Sequence, residues 1–289
     1  MEKPPLNSGE KKIEEYADRI KNGESKDTIF QDLPESFKSA IENKLVESDE
    51  IKIAKIRERL DISEGNPPIN YIETIIDDEF MQKNLMPNGG LRMTGGQANW
   101  NGEVDLMQYV ISEELSPEYR EIAADKIEKI HAGQEKTYQH ESHHIRNREN
   151  ELTPHVAADN LREFLSFRVL DELSAFTTGE LYNQNITAET ILQSLQTAKQ
   201  RIADSYYGEP FSADANWYLS QHSNKPDVYS REINQDKYHQ IMRQYFKING
   251  HDTLAVLQKE NKLQEFTNIV NSLIIKLDDL LNTTKSDSK

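Results

Sequence analysis

Along most of the chain, apolar residues recur every three or four positions, the spacing that predicts helices. Behind Pro34 the residues Phe37, Ile41 and Leu45 keep a four-residue step, and Ile51, Ile53, Ala54, Ile56 and Leu60 suggest a second helix. From Ser116 onward the pattern is almost wholly helical. Ser116-Pro117-Glu118 reads as a helix start, with proline at the first helical position. That helix runs through Ile122 and Ile127, and Gly133 interrupts it before another over 137–147. Thr153-Pro154 is expected to open the next, which runs to about Tyr182. Thr187 is expected to cap one that ends near Gly208, and further helices are expected at 213–221, 230–247, 252–259 and 261–282.

Residues 70–110 differ. Glycine pairs at Gly89-Gly90 and Gly95-Gly96, and the Asn101-Gly102 step, punctuate short runs such as Leu91–Thr94 and Glu103–Leu106. This predicts two short strands around a tight turn. The fold class is therefore mainly α with a small β element (α+β). Residues 1–10 and 284–289 read as disordered tails, 11–64 as an N-terminal helical segment, and 69–283 as the main domain. Gly65-Asn66-Pro67-Pro68 is the expected linker between the last two.

Charge and composition narrow the partners. The formal charge is −16, which counts against nucleic acid or an anionic membrane as the main partner and fits basic or neutral substrates. There is no cysteine, so any metal must be held by His, Asp and Glu. The first residues carry no apolar signal-like run, and no apolar stretch approaches the ~20 residues that span a bilayer. A cytoplasmic location, or export without a cleaved signal, is expected.

Of the eight histidines, four fall between His131 and His144. The segment Tyr138-Gln139-His140-Glu141-Ser142-His143-His144 contains His-Glu-x-x-His. On a helix, residues four apart share a face, so His140 and His144 can turn their imidazoles to one metal ion. Glu141, offset by about 100°, can reach a water on that metal without binding the metal itself. This is the arrangement of a general base beside a Lewis acid. A chain of this length carries the pattern by chance about once in a hundred, so the surrounding residues must decide.

A catalytic zinc ion needs a third protein ligand. The extended motif with a third histidine fails, because its positions hold Asn147 and Asn150. A downstream carboxylate is then expected. Glu163 and Glu172 lie on the helix after Pro154, nine residues apart and facing opposite ways. Glu172 shares its face with Leu165, Val169, Ala175 and Phe176, and a carboxylate facing a core is costly unless paired or bound to metal. The face of Glu163, with Asp159, Asn160, Ser166, Phe167 and Leu170, is more polar. Glu172 is therefore favoured over Glu163, with Asp171 a weaker alternative. An ion pair between Glu172 and Arg168 is the plainer reading of the same carboxylate.

The pattern Thr137-x-x-His140-Glu141-x-x-His144 resembles the active-site helix of the zincin superfamily, and a Glu as third ligand resembles its gluzincin group. Asp171-Glu172-Leu173-Ser174-Ala175 is similar to the second helix of those enzymes, where the ligand Glu is often followed three residues later by a small residue. The spacing of Glu163 is similar instead to the aminopeptidase branch. The resemblance covers about residues 90–182. It implies a zincin-like catalytic domain, a Zn2+ cofactor held by His140, His144 and Glu172, and hydrolysis of a peptide or protein substrate with Glu141 as general base. It also implies a strand before the active-site helix whose edge binds substrate, for which Gly102–Leu106 is the best match. Such sites often add a Tyr or His that stabilises the oxyanion. Tyr229, in the loop-like Pro226-Asp227-Val228-Tyr229, is the residue that best suits this role. The sequence departs from the resemblance at Ser142-His143 and at Arg146, Asn147 and Arg148, which are polar where apolar residues are common.

Two other functions compete. One is a non-catalytic helical protein-binding module with a degenerate zincin fold. Its contact surfaces would be the N-terminal helices and the stripe Phe266, Ile269, Val270, Leu273, Leu277, Leu280 and Leu281, which otherwise reads as core packing. The other is a zinc hydrolase acting on something other than a peptide.

Overall fold

The computed structural model describes residues 66–86, 89–149, 154 and 158–286, together with 12–13, 15–17, 19, 26–31, 33–45 and 58. The tail expected at 1–10, residues 287–289 of the tail expected at 284–289, the helix expected over Ile51–Leu60 apart from Glu58, Thr153 and His155 lie outside the described residues, whereas residues 284–286 continue the last helix. The chain divides into two units, Met1–Ser63 and Glu64–Lys289.

The first unit contains helices α1 (Lys26–Phe30) and α2 (Glu35–Leu45). The Pro34 carbonyl accepts from the amides of Phe37 and Lys38 and so opens α2. Ile41, in the middle of the expected stripe, is fully buried.

In the second unit, β1 (Ile69–Ile76) is followed by α3 (Asp78–Asn84), β2 (Gly96–Ala98) and β3 (Val104–Ile111). The helices α4 (Pro117–Ala132), α5 (Gln134–Glu149), α6 (Leu161–Glu180), α7 (Ala188–Ser205), α8 (Glu209–His222) and α9 (Gln235–Tyr245) come next. A two-residue hairpin of β4 (Lys247–Ile248) and β5 (His251–Asp252) leads into α10 (Thr253–Lys259) and α11 (Leu263–Ser286). The protein is thus mainly helical with a small sheet.

The sheet order is β1-β3-β2, with β1 parallel and β2 antiparallel to β3. The hairpin between β2 and β3 turns at Gly102, whose φ of +86° suits glycine. β1 was not foreseen. Its sequence, INYIETII, does not alternate strictly, and Pro67-Pro68 before it reads as linker. The strand expected at Leu91–Thr94 is a single bridge, Leu85 to Leu91, and the second strand of the hairpin is Gly96–Ala98 instead. The strand expected to offer its edge, β3, is central and paired on both sides, so the edge of this sheet next to α5 belongs to β2. One face of the sheet buries Ile76, Met107 and Tyr109 with Met81, Leu91, Leu115 and Ala123.

Gly133 ends α4 by donating its amide to the carbonyls of Lys129 and Ile130, and α5 begins at the next residue. Pro154 is helical as expected, but the helix is not continuous to Tyr182. Pro154 accepts from the Ala158 amide, the chain then bends, and Asn160 caps α6 by accepting from the Glu163 amide at 2.9 Å. The cap sets the boundary because its side chain satisfies a first-turn amide that would otherwise be orphaned.

α6 is the centre of the helical body and packs against α5, α7, α8, α9 and α11. It has no solvent face: Leu161, Phe164, Leu165, Phe167, Leu170 and Leu173 bury all around its axis, as a helix enclosed by others requires. The α11 stripe lies in the same core, with Phe266, Ile269, Val270, Leu273 and Leu277 buried. The turn Asn249-Gly250 between β4 and β5 has positive φ at both residues, a tight hairpin inside a region read as the end of one helix and the start of another.

Candidate metal centre

The site lies where α5 crosses α6 under the edge of β2. Two close approaches set this geometry. A Cβ on Gly179 of α6 would stand 2.7 Å from the Lys136 carbonyl oxygen of α5. One on Gly96 of β2 would stand 2.6 Å from the Asp105 carbonyl and 3.0 Å from Cγ2 of Thr137, again on α5. Glycine at these two positions lets helix meets helix and strand meets helix at backbone range.

On α5, His140 and His144 turn Nε2 toward each other at 3.1 Å. Oε2 of Glu172, on α6, lies 3.6 Å from Nε2 of His140 and 3.7 Å from Nε2 of His144. These three donors form a group able to hold a metal ion. A point in their plane equidistant from all three lies about 2.0 Å from each, against zinc–nitrogen and zinc–oxygen bonds of ~2.0–2.2 Å. The donor set, two imidazoles and a carboxylate, is one that suits zinc. The residues therefore fit the ion.

The orientation of His144 is fixed from behind. Its Nδ1 donates to Oδ2 of Asp171 at 2.8 Å, which turns Nε2 toward His140 and Glu172 as the nitrogen that would offer its lone pair to a metal once deprotonated. Asn147 donates to Oδ1 of Asp171 at 2.7 Å, and Arg168 donates to Oδ2 at 3.2 Å. Asp171 thus stands behind His144, on the side away from the three converging donors. Burial opposes its charge, but His144 and Arg168 hold its carboxyl well below the usual range. Burial likewise works against charge on His144, and the Asp171 and Glu172 carboxylates outweigh it, raising the imidazole well above its ordinary value. His140 has no such carboxylate behind it. It packs against Phe176, with ring centroids 4.3 Å apart, and burial together with His144 pushes it down to about 3.

Glu172 serves two partners with its two oxygens. Oε1 accepts from Arg168 at 3.2 Å, while Oε2 faces the imidazoles. The ion pair and the metal-facing carboxylate are therefore compatible readings of one side chain. Burial opposes its ionisation, and His144, Arg168 and His140 hold it down to about 2. Arg168 is itself anchored by Asp214 at 3.0 Å, which also accepts from the Tyr206 hydroxyl at 2.8 Å.

Glu141 borders the same cavity, with Oε1 4.0 Å from Nε2 of His140. Burial raises its carboxyl to about 7, against the pull of His144 and a hydrogen bond from the Ala98 amide of β2. Arg148, two turns along α5, donates to the carbonyls of Ala98 at 3.0 Å and Asn99 at 2.6 Å, and its guanidinium lies 5.1 Å from the Trp100 ring centre. An open cavity of about 300 Å³ is bordered by Ala98, His140, Glu141, His144, Arg148 and Glu172 among others. A cleft of about 720 Å³ adjoins it and shares His140 and Glu141.

The other residues singled out in the sequence lie elsewhere. Glu163 is buried and accepts from the amides of Asp159 at 2.8 Å and Asn234 at 2.7 Å, about 13 Å along α6 from Glu172. It fastens two loops, and its face of α6 is as buried as the opposite one. Tyr229 is 58% exposed. Its neighbour Val228 accepts from the Leu161 amide at the start of α6, about 16 Å along the helix from Glu172; Tyr229 is not brought to the site. His143 points into the core, where its Nε2 lies 2.9 Å from the Ser174 hydroxyl. That hydroxyl donates to the Asp171 carbonyl, so the proton between the two belongs to His143.

Asn147 and Arg148 are the site residues that sequence reasoning missed. Both stood out as polar where apolar residues were expected. Their spacing of three and seven from His144 and Glu141 was the available signal, since it sets them on the same faces of α5. Compared with known proteins, the chain matches no family model, no curated protein and no solved structure.

Proposed function

We propose that this chain is a zinc-dependent peptidase with a zincin-like, gluzincin-type site. The observation that carries the proposal is the triangle of His140 Nε2, His144 Nε2 and Glu172 Oε2, with sides of 3.1, 3.6 and 3.7 Å, and Glu141 beside it. His140, His144 and Glu172 would hold the ion. When bound, zinc supplies a Lewis acid that makes water nucleophilic near neutral pH and polarises a carbonyl.

The chain's own residues do the rest. Glu141 takes the proton of the attacking water at its carboxylate and returns it to the leaving amine. A carboxyl raised to about 7 suits both transfers. Asp171 keeps His144 in the tautomer that offers Nε2. Arg148 ties the β2 edge to α5 and presents a cation on the wall of the cavity. In this reading Arg148, and not Tyr229, is the group best situated to favour developing negative charge.

The binding-module reading has less support, because the α11 stripe it needs as a contact surface is buried in the core. Among the described residues no helix is long and apolar enough to cross a membrane. Metal analysis of the purified chain tests the proposal. One zinc per chain is expected, lost in His140→Ala and in His144→Ala; a wild-type chain that takes up no zinc from excess would sink it.

A further inference from the structure

The chain carries a formal charge of −16, yet the cleft beside His140 gathers cations. Lys126 and Lys129 come from α4, Lys136 from α5 and Arg201 from α7; Glu141 apart, only Glu180 and Asp204 oppose them among the bordering residues. The local balance is thus the reverse of the global one.

The pairing inside the cleft sharpens the contrast. Glu180 is buried and meets two cations with one charge: Lys136 Nζ stands 2.6 Å from Oε2, and an Arg201 guanidinium nitrogen stands 2.6 Å from Oε1. Both cations keep about half their side-chain surface open, 47% and 48%. One positive charge is left uncompensated and fixed in place. The Lys129 pair with Asp125 is an exposed i,i+4 contact, which neutralises little. Lys126 pairs with no carboxylate among the described residues. Arg201 lies 5.6 Å from the ring centre of Phe176, which packs on His140. Positive charge is therefore held a single side chain away from the His-His-Glu triangle, in a concave wall that concentrates its field.

We propose that this cleft selects a carboxylate in the substrate, on its side of the bond to be hydrolysed. The carboxylate is that of an Asp or Glu side chain, or of the peptide's own C-terminus. This rests on the peptidase reading and adds the substrate class to it. It is opposite to the preference for basic or neutral substrates that overall charge suggests.

The test uses the full chain as Glu141→Gln, loaded with zinc, and fluorescently labelled peptides of one sequence. Each peptide carries Glu, Gln or Lys at one position, with a free or an amidated C-terminus. Binding is read by anisotropy. An amidated Glu peptide about tenfold tighter than its Gln counterpart identifies a side-chain carboxylate. A similar loss on amidation alone identifies the C-terminal one. Lys peptides are expected to bind weakest, and the preference should shrink with added salt and in Lys126→Glu and Arg201→Gln. Equal affinities throughout, a preference for Lys, or no binding of any peptide overturns the inference. Digestion of the same peptides by the wild-type chain separates it from its premise. Carboxylate preference without cleavage removes the peptidase reading alone, and cleavage indifferent to the carboxylate removes this inference alone.

Discussion

Asp171 stands 2.8 Å from Nδ1 of His144, the ring nitrogen opposite the one that faces Glu172. Two adjacent carboxylates on α6 thus address one imidazole from both ends. The first fixes its tautomer, and in the proposed site the second would join it in a ligand set. Replacing Asp171 by Asn keeps the shape and removes the charge. Zinc affinity is expected to fall about 10–100-fold, as for other partners of metal-bound histidines. Competition with a chromophoric chelator measures it, and unchanged affinity would refute the role assigned to Asp171.

Glu141→Gln should retain zinc, since Glu141 is not among the three donors, and should keep an acceptor for the Ala98 amide. Peptide hydrolysis is expected to drop by about 10²–10⁴-fold. Turnover equal to wild type would remove Glu141 as the proton carrier.

Phe176 is the packing support of His140, whose ring it meets at 4.3 Å. Phe176→Ala frees that imidazole while leaving Asp171 and His144 paired. Weaker zinc binding with the His144–Asp171 bond intact is expected, checked by chelator competition together with the histidine proton resonances. A variant with wild-type affinity would mean that His140 needs no such wall.

Acid should release the metal. Both Nε2 atoms must be bare and Glu172 ionised for the three to act as ligands. In the metal-free chain, burial works against charge on His144 but Asp171 and Glu172 keep it raised, so the ring holds a proton that the ion must displace. Affinity then falls as pH falls, about tenfold per unit while one proton is exchanged. Calorimetry in buffers of differing ionisation enthalpy counts that proton; an affinity flat between about pH 5 and 8 contradicts the sign.

Glu163→Gln separates the two carboxylates that the sequence left in competition. It should cost about 1–2 kcal/mol of stability, because the Asp159 and Asn234 amides each use one carboxylate oxygen and glutamine keeps only one acceptor for the two. Zinc content should not change. Urea denaturation and metal analysis on the same sample decide, and loss of zinc at wild-type stability would restore Glu163 as a ligand.

The local parts of the site were legible because they depend on helix geometry alone. His140, Glu141 and His144 are fixed by their spacing, and Glu172 by the cost of a carboxylate among apolar neighbours. The polarity argument against Glu163 is weaker than the sequence suggests, whatever the ligand proves to be. Polarity of one face means little on α6, where both faces are buried and Glu163 is satisfied by loop amides. Asp171, Asn147 and Arg148 take their roles from how α5 crosses α6 and meets β2; spacing along α5 puts Asn147 and Arg148 on the right faces but does not reveal what they meet there. Tyr229 was chosen for its loop setting, and the path of the chain carries that loop to the far end of α6. β1 was hidden by two prolines and an irregular apolar pattern, and the small C-terminal hairpin by short strands inside a helical rhythm.

The crossing of α5 and α6 has a thermodynamic consequence. Two donors sit on one helix and the third on the helix that every major neighbour packs against. In the proposed site an ion shared between them would be a cross-link through the middle of the body, so chelation and unfolding would draw on the same equilibrium. At free zinc a thousandfold above its dissociation constant, the linkage amounts to about 4 kcal/mol. That is a large part of what keeps an ordinary domain folded, so a chelator would loosen the scaffold as well as empty the cavity.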